Sequence, residues 1–140
     1  MSKKHADALK VKTQEIPAFA VKTFLSLAVN ADGTKPSAPY IVWHPANGVN
    51  LQDRVTAPRS TKNPSFTGHV VGGSAEQVLV LLDLLEAKLF PGGRGIRIDV
   101  TGERGRPLNY SNPIPVQVQT DPQPTVVYGV VEVDWLSDPV

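Results

Sequence analysis

The sequence predicts an α+β fold: a mostly antiparallel sheet packed against one main helix (about residues 75–89), plus a short N-terminal helix. Three observations predict it. Segments with two-residue alternation recur along the chain, and one segment instead carries an apolar repeat of three to four residues. The segments run helix, four strands, helix, three strands, without the regular strand–helix alternation of a parallel sheet. The 140 residues fit a single domain spanning 1–140. A hydrophobic share of 41% against 19% charged predicts a real core, while 13 prolines predict many irregular connections.

The elements follow in order. Ser2–Glu15 forms a short helix with Ala6 and Leu9 on one side, ended by Pro17, and His5 is expected in a mobile N-terminus. Phe19–Val29 reads as one long strand, because Phe19, Val21, Thr23, Leu25, Leu27 and Val29 alternate with a more polar set. Asp32-Gly33 and two prolines make the next stretch a loop. Tyr40–Pro45 is a second strand. Asn47-Gly48 is a tight-turn signal, so the segment beginning at Leu51 is expected to return beside it as a hairpin. Arg59–Ser65 is polar and reads as loop, and Ser65–Gly72 alternates again. Beyond the main helix, Gly95–Val100 is expected as a strand with Ile96, Ile98 and Val100 on one side. Thr101–Pro113 is expected as a polar loop, followed by strands at Ile114–Thr120 and Thr125–Leu136.

The main helix opens after Gly72-Gly73-Ser74. A phosphate cradle needs several spaced glycines and then Lys and Ser/Thr at the helix start. Here Ala75-Glu76-Gln77 follows, with no lysine, and Glu76 puts a negative charge where a phosphate would sit. Ser74 as N-cap and Gln77 three residues later match a capping box, and Glu76 in the first turn suits the helix dipole. Val78, Leu81, Leu82, Leu85 and Leu89 form the core stripe. Leu79 and Val80 fall on the other side, among Glu76, Asp83 and Glu86. They are either stray surface residues or part of a second protein surface.

Little in the sequence points to catalysis. Without cysteine, disulfides and thiolate metal sites are excluded. His5, His44 and His69 show no metal-ligand spacing, although His44, Asp53 and His69 could meet across a sheet. Neither a GxSxG elbow nor a cysteine nucleophile is present. Glu132 and Asp134 share one strand face, with Val131, Val133 and Trp135 on the other. Arg94, Arg97, Arg104 and Arg106 form a basic stretch diluted by Asp99 and Glu103, and the net charge is only +1. That is a weak footprint for general nucleic-acid binding. No apolar run is long enough to span a membrane, and "MSKKHADALK" lacks the apolar centre of a secretory signal.

The order of pieces resembles the tail terminator proteins of long-tailed bacteriophages, in particular the actinobacteriophage type. The resemblance is carried by "APYIVWHP" (Ala38–Pro45), "FTGHVVGGSAEQVLVLLDLLEAKL" (Phe66–Leu89) and "DPQPTVVYGVVEVDWLSDP" (Asp121–Pro139), in order along nearly the whole chain. The N-terminal helix departs from the pattern in being shorter and more basic. The resemblance implies a structural virion protein with no catalytic, cofactor-binding or metal residues and no cofactor. It implies a homohexameric ring that caps the head-proximal end of the tail tube and stops its polymerisation. The ring would offer a docking surface to the head–tail connector protein.

Its partners would be its own copies, the tail tube protein and the connector, with DNA passing through without sequence-specific binding, and no membrane. Its place would be the virion tail, after assembly in the host cytoplasm. Leu79, Val80, Glu76 and Asp83 are the candidates for the subunit interface, together with Val131, Val133 and Trp135. Asn47, Gly48, Arg54, Arg59, Arg104, Arg106 and Tyr110 are the candidates for tube or connector contacts, on the loops Ala46–Asn63 and Thr101–Pro113. Two other readings stay open: a neighbouring connector or tail tube subunit, and a small metal-dependent hydrolase using His44, Asp53 and His69.

Overall fold

The structure is a computed structural model and describes residues 3–30, 32–46, 50–52, 60–119 and 126–140. Helix α1 (Lys3–Gln14) stops short of Pro17, and a single 3-10 turn, Pro17–Phe19, then buries Phe19. Next come β1 (Thr23–Leu25), β2 (Tyr40–Ala46), β3 (Asn50–Gln52), β4 (Ser60–Lys62) and β5 (Ser65–Gly72). Helix α2 (Ala75–Leu89) precedes β6 (Glu103–Gly105), β7 (Asn109–Ser111), β8 (Gln117–Gln119), β9 (Val126–Asp134) and β10 (Ser137–Pro139). The main sheet has the order β1-β2-β5-β9-β7, with β8 also on β9. Among the described pairings only β1–β2 is parallel, and those of the second sheet, β3-β4-β10-β6, are antiparallel. The α+β expectation holds.

Local signals fix α2. Ser74 has extended backbone and its Oγ accepts from Gln77 N at 3.2 Å, as an N-cap should. Gln77 Oε1 accepts in turn from Gly73 N, one residue before the cap itself. The expected stripe, Val78, Leu81, Leu82, Leu85 and Leu89, is buried against β5 and β9. On that side of the sheet, register places Ile41, Trp43, Phe66, Val70, Val127, Val131 and Val133 together in the core. Gly68 is opposite Trp43, and a β-carbon there would come within 2.6 Å of the indole. Glycine lets the largest side chain of the core lie flat on the strand.

Several expectations are corrected. The long first strand shrinks to Thr23–Leu25, because Ser26 takes a left-handed φ of 64° and breaks the alternation. Val21 and Leu27, expected inside, are exposed. A parallel pair needs a long crossover; here 26–39 supplies it and carries Ala28 onto the sheet face away from the helices. Of the expected return strand, Leu51 and Gln52 lie in β3, which pairs with β4 rather than with β2, and the remainder lies outside the described residues. The expected loops at Arg59–Ser65 and Thr101–Pro113 contain β4, β6 and β7. Gly95–Val100 keeps the alternation, with Ile98 buried and Arg97 exposed, but is not a regular strand: a bridge joins Val100 to Glu103, and Leu108 N donates to Ile96 O at 2.9 Å.

His5 does not lie in a mobile terminus. It is fully buried, with Nε2 3.2 Å from Glu103 Oε1.

Candidate interaction surfaces

The outer side of α2 presents Leu79, Val80 and Leu84 to solvent at 53%, 58% and 44% exposure. Glu76, Asp83 and Glu86 are exposed on the same helix. This ridge of mixed aliphatic and acidic character is the surface that the helical repeat predicts, and Leu84 extends it. Val131, Val133 and Trp135 are corrected. They are almost wholly buried in this chain's own core, with Trp135 stacked on Phe66 and near His5, so they are not surface residues. Alternation identified their shared face, but that face is already covered.

Among the described residues, no helix covers the other face of the main sheet. Register brings Tyr40, Val42, His69, Val71 and Tyr128 together there, with Phe24 from β1 packed alongside. A groove of about 340 Å³ runs over it, lined also by Ala28, Lys35, Gln119 and Val126. Sequence reading missed this groove, although a signal was present. Tyr40-Ile41-Val42-Trp43 is apolar at every position, as in strands covered on both faces.

His44 and His69 do meet on this open face, with ring centroids 5.0 Å apart and nearly perpendicular planes. Burial, and then the neighbouring His44, hold His69 below the ordinary histidine pKa. Asp53 lies outside the described residues. Among the described residues no group of three or more His, Asp or Glu could hold a metal.

Asn47, Gly48, Arg54 and Arg59 also lie outside the described residues. Arg104 is exposed on β6. Arg106 is engaged: Nε donates to Asp138 Oδ2 at 2.8 Å and Nη2 to Oδ1 at 3.0 Å. That pairing comes first in holding the Asp138 carboxyl below the usual range. Tyr110 is a strand residue on the helix side of β7, stacked on Phe90. Burial, with Glu86 and Asp83 nearby, pushes its phenol well above its ordinary value.

A charged cluster that the sequence did not reveal lies between α1 and the second sheet. Glu103 is buried and faces Lys4 Nζ at 2.6 Å, His5 Nε2 at 3.2 Å and Lys62 Nζ at 3.6 Å. Burial opposes its ionisation, but contacts with Lys4, His5, Ser137 and Lys62 outweigh burial and hold the carboxyl below its ordinary value. His5 is lowered, because burial outweighs the pull of Glu103. With 98 residues separating His5 from Glu103, no local motif could have announced the pair.

Neither a protein-family profile nor a curated protein sequence matches this chain. Among solved structures, a chain of "Virion of native gene transfer agent (GTA) particle" superposes with a TM-score of 0.61 at 14% identity. The match covers 97% of this chain and 99% of that chain. This chain has the fold of a virion protein of a gene transfer agent particle. At that identity the likeness concerns the fold alone, and it extends over nearly the whole length of both chains.

Proposed function

We infer that the chain is a structural subunit of a phage-like virion, not an enzyme, and that it serves as the tail terminator. The observation that carries this reading is the near end-to-end fold likeness to a chain of a gene transfer agent virion, in both directions. The ordered sequence resemblance to tail terminators narrows the role. The exposed Leu79, Val80 and Leu84 on α2 supply an apolar surface that a solitary subunit does not need. In this role the chain forms a homohexameric ring at the head-proximal end of the tail. The ring meets the tail tube protein on one side and the head–tail connector protein on the other. DNA passes through it without base-specific contact, and the protein is assembled in the host cytoplasm.

The test is deletion of its gene from the genome that encodes it, followed by electron microscopy of the particles. Overlong tails that fail to join heads are the expected result. Free tails of uniform, normal length would assign the chain to the connector instead. Heads with no tails at all would make it a tube subunit, and unchanged particles would overturn the structural role.

A further inference from the structure

The outer ridge of α2 and the groove on the open sheet face lie on the two sides of the same sheet. We propose that they are the two halves of one contact: the ridge of one copy seats in the groove of the next. This rests on the ring reading above and names the surfaces that build it.

Shape supports the pairing. The ridge is convex, with Leu79 and Val80 standing out from the helix. The groove of about 340 Å³ is floored by Tyr40, Val42, Val71, Val126 and Tyr128. It continues into an adjoining hollow of about 290 Å³ that shares Lys35, Tyr40, Val71 and Val126. Aliphatic side chains leaving water for such a floor gain free energy in proportion to the area covered.

Charge also supports it. The exposed ridge carries Glu76, Asp83 and Glu86, whereas Lys35 is the only charged residue among the described ones that line the groove. Two ridges facing each other would set six carboxylates together, and two grooves would leave both hollows empty. Like-charge contacts of that kind select against the wrong pairing. A ridge-in-groove contact is heterologous, so it repeats head to tail and closes when the rotation per step completes a turn.

The absence of cysteine makes the test clean. Leu79→Cys or Val80→Cys is placed on one chain and Lys35→Cys or Val126→Cys on another. The purified full-length proteins are then mixed under mild oxidation. Mixed ridge–groove disulfides are expected in at least one of these pairings, exceeding both ridge–ridge and groove–groove products. Val11→Cys, exposed on α1, sets the background. In a second arm, Leu79→Glu/Val80→Lys protein is mixed with Lys35→Glu/Val126→Glu protein, and mass is read by sedimentation at high concentration. The mixture keeps one intact contact and is expected to stop at dimers.

Mixed disulfides no higher than background, a predominance of like-with-like products, or a mixture that forms no dimer would overturn the proposal. The two readings fail separately. Absent mixed products together with overlong tails on gene deletion would leave the terminator role standing with other contacts. Mixed products together with normal tails would leave the contact standing and remove the role.

Discussion

Helix α2 is held to the main sheet by Val78, Leu81, Leu82, Leu85 and Leu89, all buried. The N-terminal end of α1 is held to the second sheet by Glu103 with Lys4, His5 and Lys62. A fully buried aliphatic side chain contributes about 1.5–3 kcal/mol, whatever its neighbours' orientation. A buried carboxylate must first recover its lost hydration from its partners, so the net contribution is far smaller. The difference teaches why α2 organises the fold while the end of α1 reports on conditions. The lysines can return to water, since their side chains are 41% and 35% exposed, but His5 cannot. The rest of α1 is fastened conventionally, by Leu9 in the core and by Trp43 Nε1 donating to Thr13 Oγ1 at 3.0 Å.

The largest expected effect comes from breaking the apolar seam. Leu85→Ala leaves a cavity beneath α2 and should lower stability by about 2–5 kcal/mol, read as a shift in the urea midpoint at unchanged slope. Glu103→Gln should cost less, about 1–3 kcal/mol, because the two lysines are free to rehydrate. A larger loss for Glu103→Gln than for Leu85→Ala would invert the comparison.

The ionic seam should also show in the pH dependence. His5 is lowered in the folded state, so protonation favours unfolding, and stability is lost as pH falls below the ordinary 6.5 toward the folded value. Glu103 is lowered too, so its contribution is complete above the ordinary 4.5 and is lost as pH falls through its folded value. Melting temperatures from pH 8 to 3 are therefore expected to fall in two stages. Glu103→Gln shrinks the lower stage, to which Asp138 also contributes, and enlarges the upper one, because His5 loses the pull of Glu103 while Lys4 and Lys62 remain. A profile flat between pH 7 and 5 would contradict the buried neutral His5.

Smaller effects sharpen the account of α2. Ser74→Ala removes the N-cap and should cost about 0.5–2 kcal/mol, measured by thermal melt. No loss of phosphate affinity should accompany it. Leu79→Glu with Val80→Lys changes only the exposed side of the helix. Each substitution should alter stability by no more than about 0.5 kcal/mol, while the double variant fails to assemble and gives overlong or unjoined tails. Normal tails from a folded double variant would remove the ridge from the interface.

The ridge of α2 was legible before any coordinates because helix period and capping act within a few residues. Of the candidate interface, Leu79, Val80, Glu76 and Asp83 do stand on an exposed surface. Val131, Val133 and Trp135 do not. Alternation says which residues share a face, but not whether that face meets the chain's own helix or another molecule. The groove stayed hidden because it is assembled from β2, β5, β8, β9 and the crossover from β1, each contributing one or two residues.

Sequence alone determined the α+β class, the position and cap of α2, its buried stripe, and the strands β5 and β9. These are long enough for a period to repeat, so local physics selects them. Tertiary structure decided the three-residue strands β4, β6, β7 and β10. Such a strand shows no period of its own and exists only because a distant partner completes its backbone hydrogen bonds, as Gly105 and Lys62 do for Ser137. It likewise decided the fate of Glu103. A carboxylate can be buried only where opposite charges converge, and His5, Lys4 and Lys62 reach it from segments that only the folded chain brings together.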